Sequence, residues 1–159
     1  MKTIVRLASL FALFIALPLF AAGPEWKEVG SSGIIDEDSS ALFAFTTFDL
    51  EFKTGQTGTI TARYPVTYTG GDDPSWVNFI IGGWGPGVNV KLIRASECIP
   101  NGAVVVCETG ASTSEGHFCT PCSDFNESLN FAQNAYYFEA TLTRASTATA
   151  PRLHMIQLE

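Results

Sequence analysis

The strongest constraint in this sequence is a two-residue alternation that recurs along most of its length. Across residues 59–69, Ile60, Ala62, Tyr64, Val66 and Tyr68 fall on one side, and Thr59, Thr61, Arg63, Pro65 and Thr67 on the other. A strand that buries one face and wets the other needs this period, and a helix has no use for it. Residues 135–144 repeat the pattern, with Tyr136, Phe138, Ala140 and Leu142 set against Tyr137, Glu139, Thr141 and Thr143. Pro65 cannot donate a ladder hydrogen bond, so the first of these strands is expected at an edge or at a bulge.

Weaker segments follow the same logic. Residues 41–53 read as one long strand or two short ones, and residues 88–94, 103–108 and 152–158 as further strands, the last with Leu153, Met155 and Gln157 on one side. Residues 76–81 are apolar on both faces, which suits a central strand covered on both sides. Residues 25–29 and 33–36 are fainter candidates. Turn chemistry separates these runs, at Thr54-Gly55-Gln56-Thr57-Gly58, Gly70-Gly71-Asp72-Asp73-Pro74, Gly82-Gly83-Trp84-Gly85-Pro86-Gly87 and Pro100-Asn101-Gly102. Short strands about ten residues apart predict an all-β domain, a β-sandwich of jelly-roll or immunoglobulin-like type with about eight to ten antiparallel strands. A closing hairpin is expected between residues 135–144 and 152–158. No repeat or linker divides residues 23–159 into two domains.

Residues 1–22 have a different character. Lys2 and Arg6 precede an apolar block from Leu7 to Phe20, and Ala21-Ala22-Gly23 follows. A basic start, an apolar middle and a small-residue end are the parts of a secretory signal, here expected to be cleaved between residues 21 and 24. The apolar block is shorter than the ~20 residues of a membrane span, so no membrane insertion is expected after cleavage. The working protein is therefore expected to be secreted or periplasmic. Cleavage removes Lys2 and Arg6 but no acid, taking the net charge from −7 to −9. A chain so acidic repels phosphate backbones and anionic lipid, which sets nucleic acid aside as a partner.

All four cysteines, Cys98, Cys107, Cys119 and Cys122, lie beyond the leader. An even count in an exported chain predicts two disulfides. Three pairings are open, and the nearest-neighbour one, Cys98–Cys107 with Cys119–Cys122, is the first expectation. Oxidation also argues against zinc held by His117, Cys119 and Cys122, and against redox chemistry at Cys119-Thr120-Pro121-Cys122, which lacks the helix that lowers a thiol pKa. The region 98–122 then reads as an irregular, cross-linked stretch.

Catalytic signals are thin. His117 and His154 are the two histidines, without metal-ligand spacing, and His154 reads as a surface residue of the last strand. No nucleophile elbow, zinc-protease helix or phosphate loop occurs. Glu97, Glu108, Asp124 and Glu139 single out no catalytic pair. No cofactor is expected, with calcium at the acids near 36–38 or at Asp72 and Asp73 as a lesser alternative, Asp36, Asp38 and Ser39 having a spacing of oxygen ligands that suits it. Asn126-Glu127-Ser128 forms a glycosylation sequon.

The remaining feature is aromatic. Trp84 stands among glycines, which give an indole little local cover, and Trp76 follows an acidic turn. Sugar rings stack on exposed indole faces while acids and amides take their hydroxyls. Trp84, Trp76, Asp72, Asp73 and Asn78 are thus the candidate binding residues, weighed against burial of both tryptophans in the sandwich. The sequence favours a secreted, non-enzymatic module for a glycan or other surface ligand. A structural subunit of a matrix, surface layer or fibre is the alternative, because exposed strand edges accept neighbours.

Overall fold

Alternating apolar residues from two sheets meet in one core. The computed structural model describes residues 25–70, 74–96, 102–123 and 125–159. The expected leader, Asp72, Asp73, Cys98, Glu97 and Asp124 lie outside the described residues. Strands β1 (Trp26–Val29), β2 (Ile34–Ile35), β3 (Phe43–Phe45), β4 (Leu50–Phe52), β5 (Gly58–Val66) and β6 (Phe79–Trp84) are followed by β7 (Val88–Ser96), β8 (Ala103–Glu108), β9 (His117–Cys122), β10 (Asn134–Arg144) and β11 (Arg152–Leu158). The first sheet runs β3-β4-β11-β6-β9, with β1 also paired to β11, and the second runs β2-β5-β10-β7-β8. The pairings are antiparallel, as in the expected β-sandwich.

Phe79 and Ile81 of β6 and Leu153, Ile156 and Leu158 of β11 face Ile60, Ala62 and Tyr64 of β5 and Phe138, Ala140 and Leu142 of β10 across the core. Phe138 ties the layers together, stacked on Trp26 at 5.3 Å and edge-on to Phe79 at 4.9 Å between ring centroids. The Tyr64 hydroxyl is buried and donates to the Gly30 carbonyl at 2.7 Å. Left unpaired, such a group would cost about 1–3 kcal/mol. Burial also raises the Tyr64 pKa, which keeps the donor protonated.

Residues 41–53 form two short strands, one of the two expected arrangements. Other expected elements need correction. β5 ends at Val66, and β2 covers only Ala62 and Arg63 on its outer side, so the chain near Pro65 is free on one edge as its missing N–H requires. β6 starts later than residue 76 and takes in Gly82, Gly83 and Trp84, which had read as part of a turn. The expected hairpin of β10 and β11 does not form, because β10 belongs to the second sheet and β11 to the first. A bulge between Leu153 and Met155 also reverses the phase of β11, leaving Leu153 in the core and Met155 and Gln157 on the other side.

The nearest-neighbour disulfides are overturned. Residues 117–122 form an ordered strand, so Cys119 and Cys122 point to opposite faces with Cα atoms ~10 Å apart, too far for a bond. Cys122 turns inward and bonds Cys107 with a Cα–Cα distance of 6.2 Å. This bridge joins the edge strands β8 and β9 of the two sheets. Cys119 faces outward and has no disulfide partner among the described residues. The zinc set with Cys122 falls with the same observation.

Candidate functional site

The two outer faces of the sandwich differ in chemistry. On the second sheet, Arg63 links Asp36 at 3.0 Å and Glu139 at 3.3 Å, and Lys91 pairs with Glu108 at 3.5 Å, giving a solvated charged surface. The first sheet instead carries a row that crosses four strands in register, Glu51, Arg152, Trp84 and His117. Trp84 ends β6 and is 42% exposed. Gly82, two residues earlier on the same face, has no side chain to cover the indole.

The turn after Trp84 fixes its position. Gly85 and Gly87 adopt φ values of 75° and 89°, a region that favours glycine. The Gly85 N–H donates to the Gly116 carbonyl and the Gly87 N–H to the Ser112 carbonyl, both at 2.9 Å. Ser112 Oγ donates to the Gly85 carbonyl at 2.8 Å and accepts the Val88 N–H at 3.0 Å. Trp84 is therefore held at the end of a pinned strand, with its side chain on the sheet face.

Arg152 flanks the indole on one side, ion-paired to Glu51 at 2.9 Å. On the other side the His117 ring meets the indole edge-on at 6.1 Å, and His154 lies 5.1 Å beyond His117. Exposed Phe48 packs on His154 at 5.8 Å. The chain therefore presents Phe48, His154, His117 and Trp84 as a strip of rings with charged groups along its border.

His154 is not the plain surface residue the sequence suggested. It occupies the bulge of β11, where it is half-buried, and buried Asp49 sits 3.2 Å from its Nδ1. That approach is oblique for a hydrogen bond, and His154 Nε2 is buried with no partner among the described residues. Burial lowers the His154 pKa, His117 and Arg152 act in the same sense, and Asp49 opposes them. Asp49 is positioned by a tight turn in which its N–H donates to Thr46 Oγ1 at 3.1 Å and its carbonyl accepts the Thr46 N–H at 3.1 Å.

The expected binding residues separate. Trp76 is 5% exposed and packs edge-on to Tyr68 and Phe131 before β6 begins, at the opposite end of that strand from Trp84. Asn78 exchanges backbone hydrogen bonds with Glu159, the N–H donating at 3.2 Å and the carbonyl accepting at 3.1 Å. It lies by Trp76, away from Trp84. An open cleft of about 270 Å³ beside Trp76 is lined by Trp26, Thr67, Tyr68 and Gly70 among others. Of Asp36, Asp38 and Ser39, two hold the fold: Asp36 pairs with Arg63, and the Ser39 hydroxyl accepts the Thr61 N–H at 2.9 Å. Among the described residues, no three His, Cys, Asp or Glu side chains converge on one metal position. Phe48, Asp49, Arg152 and the histidines were missed as a group because they come from three distant segments.

No protein-family model matches the chain, and no curated protein matches it. Among solved structures, the CBM36-1 domain of a multidomain xylanase from the hindgut metagenome of Trinervitermes trinervoides is similar in fold. Its TM-score is 0.54 at 9% identity, over 86% of this chain and 97% of that one. A structure described as Carbohydrate-Binding Module CBM36 in complex with calcium and xylotriose aligns with a TM-score of 0.49 at 12% identity, over 84% of this chain and 99% of its own. At such identities the likeness is one of fold, the two-sheet sandwich.

Proposed function

We propose that this chain is an exported, non-enzymatic module that binds carbohydrate on the outer face of the first sheet, with Trp84 as the stacking platform. The observation that carries this reading is the exposed indole, fixed by the Gly85–Gly87 turn between the Arg152–Glu51 pair and His117. A rigid apolar plane bordered by donors and acceptors is the chemistry a sugar ring needs, since its axial hydrogens meet the indole while its hydroxyls find polar partners. The sandwich fold is one that a carbohydrate-binding module also uses, which supports the reading at the level of architecture.

Assembly into a fibre or layer draws less support from the edges. β2 and β3 are two and three residues long, and β9 carries Pro121, all features that discourage strand addition.

The test is affinity electrophoresis and a broad glycan array with wild type and Trp84→Ala. Wild type is expected to bind at least one polysaccharide, and Trp84→Ala to lose binding at least tenfold while keeping its thermal midpoint. Binding unchanged in Trp84→Ala, or no glycan bound by wild type, would refute the proposal. Repeating the assay with calcium and with chelator tests the calcium expectation separately.

A further inference from the structure

We propose that His117 and His154 form a two-imidazole site for a divalent late first-row cation such as Zn²⁺, beside Trp84 on the outer face of the first sheet. The two residues come from strands separated by β6, which presents no side chain on this face at Gly82, and their ring centroids lie 5.1 Å apart. A zinc ion ~2.1 Å from each ligating nitrogen sits about 3.2 Å from each ring centre. Two such ligands at a tetrahedral angle have ring centres about 5.2 Å apart. The observed spacing matches.

The surroundings supply the other requirements. Asp49 Oδ1 lies 3.2 Å from Nδ1 of His154 and has no hydrogen-bond partner among the described residues, so a small turn of the ring would let it accept the Nδ1 proton of a ligating imidazole. The other nitrogen, Nε2, is a buried polar atom without a protein partner, the state a metal ligand has before it is loaded. Imidazole suits zinc, copper and nickel, whereas calcium prefers oxygen. With two protein ligands the remaining positions belong to water or to a ligand oxygen. The site does not depend on carbohydrate binding, because metal uptake is read directly.

The test uses untagged protein carrying Cys119→Ser, which removes the one cysteine described on this face. Calorimetry with Zn²⁺ is expected to show one bound equivalent, weakened at least tenfold by His117→Ala, an exposed position that leaves the fold intact. Nuclear magnetic resonance of the same protein is expected to show both imidazole side chains shifting together as Zn²⁺ is added. No saturable uptake, uptake lost with Cys119→Ser, affinity unchanged in His117→Ala, or a shift confined to one imidazole would each overturn the site.

Discussion

Gly83 faces inward from β6, where an added methyl group would collide with the Arg152 carbonyl oxygen and the Phe118 ring. Both are fixed, the first by the β6–β11 ladder and the second by burial in the core. Gly83→Ala is therefore expected to destabilise the protein by about 1–3 kcal/mol, the usual range for overpacking, as read from urea denaturation. An unchanged midpoint would show that β6 and β11 can separate without cost. The same residues explain a misreading of the sequence. Glycine pairs usually punctuate loops, so Gly82-Gly83 read as a turn. Here they lie inside a strand because Phe118 fills the space on one side of the sheet and Met155 leans across the other. Neither neighbour is close in sequence, so local pattern could not reveal the packing that calls for glycine.

At the scale of elements, alternating and β-branched runs were legible, short β8 included, and strands interrupted by glycine, proline or cysteine were not. β10 stands almost where its period placed it, because a strand half-buried over its whole length writes its faces into the sequence, whereas β11 keeps its expected bounds but not its expected faces, since the bulge breaks its alternation. β9 was missed because Pro121 and the paired cysteines mimic a loop; Pro121 is tolerated since β9 is an edge strand. Sheet membership was also invisible, as nothing in the 145–151 connection says whether the chain returns to its own sheet or crosses to the other. A second crossing, from β8 at the edge of one sheet to β9 at the edge of the other, is what places Cys122 opposite Cys107. Their bond closes a loop with a sequence separation of 15, for which chain entropy gives about 3 kcal/mol. Replacing both by alanine is expected to lower stability by about 2–4 kcal/mol, whereas Cys119→Ser should change it by less than about 0.5 kcal/mol. Denaturant melts of the two variants check the contrast, and non-reducing peptide mapping should recover a Cys107–Cys122 cross-link.

At the scale of the whole molecule, the sandwich gives chemically similar residues opposite duties. Composition marked the tryptophans as candidates for a surface but could not separate them, since exposure depends on which layer covers which end of β6. Trp76 is roofed by Tyr68 and Phe131, while the outer side of the first sheet has no third layer among the described residues and leaves Trp84 open. The histidines beside Trp84 were still less legible, because β9, β11 and the β3–β4 turn come from distant parts of the chain and meet only when the first sheet assembles. Trp76→Ala should therefore cost about 3–5 kcal/mol, as for other large aromatic deletions in cores. Trp84→Ala should stay within about 0.5 kcal/mol of wild type, as surface substitutions generally do. Fluorescence separates the two without any ligand. Of the three tryptophans, Trp26 and Trp76 are buried, at 8% and 5% exposure. Removing Trp84 should thus shift the emission to shorter wavelength and abolish most iodide quenching, and removing Trp76 should do neither in protein that remains folded. If quenching survives in Trp84→Ala, water reaches an indole from the other end of β6, and the open cleft beside Trp76 becomes the better candidate for the binding surface.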